Sequence, residues 1–180
     1  HSGIDEFPNV AERDLRAAMP RIAKSGLPLL VHCELQPPLI PNSSRQRQDD
    51  VRNLTLRSYG NYLASRPPQW EYDAIEMMIR LCEEFNCKVH IVHVSSSSTL
   101  PILHDARGAG LPLTTETCPH YLYFAAEEIT DGDTRFKCAP PIRKSENREQ
   151  LWNGLKNDTI DFIVSDHSPS PQEMKCLEEG

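Results

Sequence analysis

Apolar positions along the chain follow two rhythms. Leu15, Ala18, Met19 and Ile22 recur three and four residues apart, one face of a helix. Gly26 stands where such a helix takes a left-handed cap, and Pro20 marks an interruption within it. The run Leu27 to Cys33 is short and continuously apolar, which predicts a strand buried on both faces. A polar, proline-containing stretch from Glu34 to Asp50 follows; it is long for a strand-to-helix connection and reads as functional or mobile. Leu54, Tyr59 and Leu63 predict a helix ending before Arg66-Pro67-Pro68, and Ile75, Met78, Ile79 and Cys82 predict the next. Val89 to Val94 reads as a second buried strand. The serines Ser95 to Ser98 are then placed to cap a helix from about Thr99 to Ala106 that ends near Gly108 and Gly110. Pro112 to Thr117 is a third strand, Glu149 to Leu155 a helix, and Ile160 to Val164 a fourth strand.

Strands alternating with helices predict an α/β fold with a parallel sheet and right-handed crossovers. Four such units make half of an eight-unit barrel. A doubly wound open sheet is the rival, but no GxGxxG opens any helix. The expectation is an incomplete TIM-like (β/α)8 barrel. Residues 1–180 form one partial domain of about the last four units, with no second domain. The composition, 38% hydrophobic and 25% charged, is that of a globular chain. The net charge of −7 disfavours nucleic acid and anionic membrane as partners. No apolar run is long enough to span a bilayer, no signal peptide opens the chain, and no initiator Met precedes His1. The last point predicts a start inside a longer protein. Cys33, Cys118 and Cys138 lie at apolar runs, as reduced thiols of a cytoplasmic enzyme do.

Three strands end in a group that can bind a cation. His32 closes the first, His93 the second, and Asp166 follows the fourth. In a parallel barrel all strand C-termini share one face, and nitrogen and oxygen donors there suit zinc and similar ions. His90 differs in parity from His93, which predicts a packed side chain directed at the helix layer. His120 follows the third strand and either contacts substrate or bonds a loop; His167 is a substrate contact or supports one. A Ser/His/Asp triad built from the serine run is weak, because no GxSxG turn is present. The segment Lys137 to Arg143 cannot be regular around Pro140 and Pro141 and reads as a shaped loop at the barrel mouth.

These blocks resemble the cyclic amidohydrolases, and within them the allantoinase branch. The matching segments are Leu29 to Glu34, Ile91 to Ser96, Glu116 to Leu122, Lys137 to Arg143 and Val164 to Pro169, with Ser2 to Pro8 and Arg66 to Glu71 in support. The resemblance implies two divalent ions, zinc first and manganese or cobalt as alternatives. It implies His32 and His93 as ligands of one ion, and Asp166 as ligand of the other and proton shuttle. It implies a metal-activated hydroxide that opens a cyclic ureide, allantoin to allantoate, with the backbone at Ala139 binding the ring. Dihydropyrimidinase, hydantoinase or dihydroorotase activity, or a non-catalytic scaffold, are the alternatives. An HxH pair and a carboxylated lysine, both expected upstream of His1, are absent from the chain. That implies a fragment, inactive alone, of a homo-oligomeric enzyme, a tetramer by resemblance.

Overall fold

The computed structural model describes residues 9–36 and 57–178. The Ser2 to Pro8 block, most of the polar stretch after Glu34, and Leu54 lie outside the described residues. Helix α1 (Glu12–Ser25) opens with Asp14 accepting the Ala11 N–H at 3.0 Å and closes on Gly26, whose φ of 73° favours glycine. It runs through Pro20 without the expected interruption. The fully buried Met19 and the buried Leu15, both ahead of Pro20, anchor it on the core, which offsets the cost of the proline. Strand β1 (Leu29–Val31) follows, then α2 (Tyr59–Ser65) and α3 (Pro68–Phe85). Pro68 opens α3 at a position that needs no donor, and Asn86 ends it in the left-handed region.

Strand β2 (Val89–Ile91), helix α4 (Leu100–Gly108) and strand β3 (Leu113–Thr117) come next. Helix α5 (Pro119–Tyr123), helix α6 (Ser145–Lys156) and strand β4 (Phe162–Ile163) complete the order. The strands pair in parallel in chain order, β1-β2-β3-β4. Helix α6 packs tightly beside the lead-in to β4: a Cβ at Gly154 would meet Ile160 and Leu100 at 3.1 Å.

One core joins the helices to one face of the sheet. Val89, Ile91 and Leu113 point into it beside Met19, Ile75, Met78, Leu81 and Leu103. The opposite face is lined by Leu30, His90, Thr114, Glu116 and Phe162. On it Leu30 is 61% exposed and Phe162 46%, so β1 is not buried on both faces as its apolar run predicts, and β4 is exposed as well. His90 belongs to this open face, not to the helix layer. Strand β2 ends at Ile91 and His93 has φ 41°, so strand alternation does not extend from His90 to His93. Among the described residues no helix is long and apolar enough to cross a membrane.

Candidate active site

The ends of β1 and β2 bring two histidines together. Val92 donates its N–H to Val31 O at 3.3 Å, and Val94 donates to Glu116 O at 2.7 Å, which keeps the strand ends in step. His32 follows β1 directly, and His93 turns in the left-handed region two residues past β2. A non-glycine residue held there costs energy that its surroundings must supply, a recurrent feature of functional sites. His32 Nδ1 and His93 Nε2 face each other at 3.0 Å, with the rings edge to face.

The protons on this pair are fixed by what lies behind it. Glu34 Oε2 stands 3.0 Å from His32 Nε2 and also accepts from the Arg66 guanidinium. A carboxylate oxygen that also accepts from a guanidinium favours an N–H on His32 Nε2, the tautomer that turns the Nδ1 lone pair towards His93. Burial, and then the neighbouring His32, push the His93 pKa down to about 4, against the pull of Asp166. His93 is therefore neutral at pH 7, the form that binds cations. Its Nδ1 is buried without a hydrogen-bond partner among the described residues. Two imidazole nitrogens that face each other at the strand ends fit a shared cation, which would take the place of any proton between them. Tetrahedral zinc asks for nitrogens roughly 3.3 Å apart. Among the described residues no three His, Cys, Asp or Glu side chains gather into a cation-binding cluster, so any such ion needs donors beyond this pair.

A second buried network fixes the backbone just beyond His93. Glu71, 2% exposed in α3, accepts the N–H groups of Ser95 and Ser96 at 2.9 and 3.0 Å. Its other oxygen accepts from Arg143 Nη2 at 2.7 Å, and Arg143 Nη1 reaches Arg66 O at 3.3 Å. Burial pushes the Glu71 carboxyl pKa up, and Arg143 pulls it back. Glu34, Arg66, Glu71 and Arg143 all lie in blocks that carry the family resemblance, but motif reading gives none of them a role. For Glu71 a signal exists: with Ala74, Ile75 and Met78 it falls on the apolar face of its helix.

The other predicted residues sit as follows. Asp166 is exposed, with φ 46°, and it acts to raise the pKa of both His93 and His120. His120 is half-buried in α5 against Tyr121, and burial lowers its pKa. His167 is exposed and donates its N–H to Ser165 Oγ at 3.3 Å. Ala139 is half-buried in an irregular loop and precedes Pro140 through a cis peptide. The serine run caps no helix with its hydroxyls. Ser95 Oγ donates to Pro141 O at 2.6 Å, and Ser96 Oγ meets Ser98 Oγ at 2.8 Å.

No family model matches the chain. A probable allantoinase of Oryza sativa subsp. japonica is 43% identical over 188 residues, covering 99% of this chain and 36% of the relative. A protein of Aquarana catesbeiana named "Allantoinase, mitochondrial" is 41% identical over 180 residues, 100% of this chain and 35% of its own. The solved L-hydantoinase (dihydropyrimidinase) of Arthrobacter aurescens superposes with a TM-score of 0.80 at 28% identity, over 97% of this chain and 38% of that one. The chain thus spans about a third of the length of the curated relatives it matches. It belongs, as part of an α/β barrel, to the cyclic amidohydrolase family.

Proposed function

We propose that the full-length protein opens the ring of a small cyclic ureide by hydrolysing its amide bond, with allantoin as the substrate. The observation that carries this reading is the facing pair of ring nitrogens, 3.0 Å apart at the ends of adjacent parallel strands. The allantoinase names of the relatives select allantoin among cyclic amides. The hydantoinase likeness supports hydantoin or a dihydropyrimidine as the second reading.

In this reading His32 and His93 hold one of two divalent cations, zinc first, and Asp166 serves the other. A carboxylated lysine and an HxH pair come from sequence outside this chain. Such cations supply acidified water and a Lewis acid at neutral pH. Glu34 and Arg66 keep His32 in the one tautomer that leaves Nδ1 open. Asp166, exposed on the rim, takes the proton of the attacking water and returns it to the departing ring nitrogen. The peptide at Ala139 binds the ring, with His120 and His167 as further substrate contacts. Residues 1–180 supply about four of eight barrel units. The active unit is a homo-oligomer, and six unpaired cysteines support a reducing compartment such as the cytoplasm.

The test uses full-length protein, assayed for bound metal and for ring opening of allantoin, hydantoin, dihydrouracil and dihydroorotate. Allantoin is expected to turn over fastest, with His32→Asn and His93→Asn losing both metal and turnover. Faster hydantoin or dihydrouracil hydrolysis would move the assignment to the second reading. No bound metal after reconstitution would leave a non-catalytic scaffold.

A further inference from the structure

The loop from Cys138 to Arg143 is held almost wholly by its carbonyls. Pro140 and Pro141 have no N–H to give, so two peptide donors are missing from the loop itself. The carbonyls find their donors on four other elements. Tyr62 Oη in α2 donates to Cys138 O at 2.7 Å, and Tyr121 Oη in α5 donates to Pro140 O at 2.8 Å. Ser95 Oγ, just beyond His93, donates to Pro141 O at 2.6 Å, and Tyr59 Oη in α2 donates to Ile142 O at 2.9 Å. The Ala126 N–H takes Arg143 O at 2.9 Å. Five of these six consecutive carbonyls are thus engaged. Ala139 is the exception: among the described residues nothing bonds its carbonyl or its N–H. Burial pushes the Tyr62 hydroxyl up to about 12 and that of Tyr121 well above its ordinary value, so both stay donors at any physiological pH.

We propose that Tyr62 and Tyr121, gripping the carbonyls on either side of Ala139, are positioning residues that hold the Ala139 peptide ready for the ring substrate, with Tyr59 and Ser95 holding the remainder of the loop. The proposal rests on the reading of Ala139 as a substrate contact. A peptide that binds the ring equally in the ground and transition states affects KM and leaves kcat alone. Loss of one hydroxyl leaves a buried Pro140 carbonyl or a half-buried Cys138 carbonyl without its donor and frees the loop to shift, while phenylalanine keeps the ring and its packing.

The experiment measures Tyr62→Phe, Tyr121→Phe and Tyr59→Phe in the full-length protein. Two readouts are taken: steady-state kinetics on allantoin, and hydrogen exchange of a peptide spanning residues 136–143. Expected are a KM raised about tenfold for Tyr62→Phe and Tyr121→Phe with kcat within a few-fold of wild type, a smaller rise for Tyr59→Phe, and faster exchange in all three. Unchanged KM in an active enzyme overturns the proposal, as does a fall in kcat at constant KM. If the wild type opens none of the four rings, the functional reading fails by itself. Exchange then decides the positioning role: faster exchange in Tyr62→Phe and Tyr121→Phe upholds it, and exchange equal to wild type overturns it.

Discussion

Two histidines three residues apart live in opposite chemical situations. His90 sits on the open face of the sheet with both ring nitrogens engaged, Nδ1 on Thr114 Oγ1 and Nε2 on Glu116 Oε2, each at 2.8 Å. Its ring stacks on Phe162 with centroids 5.5 Å apart. His93 lies on the rim with one nitrogen aimed at another imidazole and the other buried without a partner among the described residues. The sheet face completes its histidine from neighbouring strands. The rim leaves its histidine incomplete and spends a left-handed backbone and two buried charged networks to keep it there. A side chain whose valences are all filled is architecture; one held at cost with valences to spare has work to do.

The largest test of that contrast is the pair behind the rim. Glu71→Ala leaves Arg143 buried without its partner and strands the N–H groups of Ser95 and Ser96. Breaking a buried pair in this way costs about 3–5 kcal/mol. Denaturant unfolding of the full-length protein measures it, and a loss below about 1 kcal/mol would mean the rim is not held by this pair. Next in size is Glu34→Gln. The amide can no longer oblige His32 to carry its proton on Nε2, and supporting changes of this type weaken metal binding about 10–100-fold. Metal titration reads this directly, and unchanged affinity would remove Glu34 from the site.

The alternation of helices and strands was legible because it is a property of spacing: α1, α3 and α4 fall on their apolar periods, and the four strands on their apolar runs. The two histidines were legible too, since each follows a strand. The orientation of His90 was not. Parity counting assumes an unbroken strand, and β2 stops before His93. The charged residues behind the site were hidden for another reason. Glu34, Glu71 and Arg143 resemble ordinary surface residues until folding pairs them, because burial of a charge depends on a partner 32 or 72 positions away. The sheet edges misled in the opposite sense. Leu30 and Phe162 are apolar yet 61% and 46% exposed, while His90 on the same face is buried.

The smallest expected effect sharpens the comparison most. His90→Leu removes the bonds to Thr114 and Glu116 on the open face. Thr114 is exposed and Glu116 half-buried, so both can take water in place of the imidazole, and the leucine still covers part of Phe162. The net loss should be about 0.5–1.5 kcal/mol in unfolding. Bound metal should remain at the wild-type level, where His93→Asn loses it. Equal metal loss in both variants would mean the face and the rim form one functional unit, and that a histidine with every valence filled carries as much of the chemistry as one without.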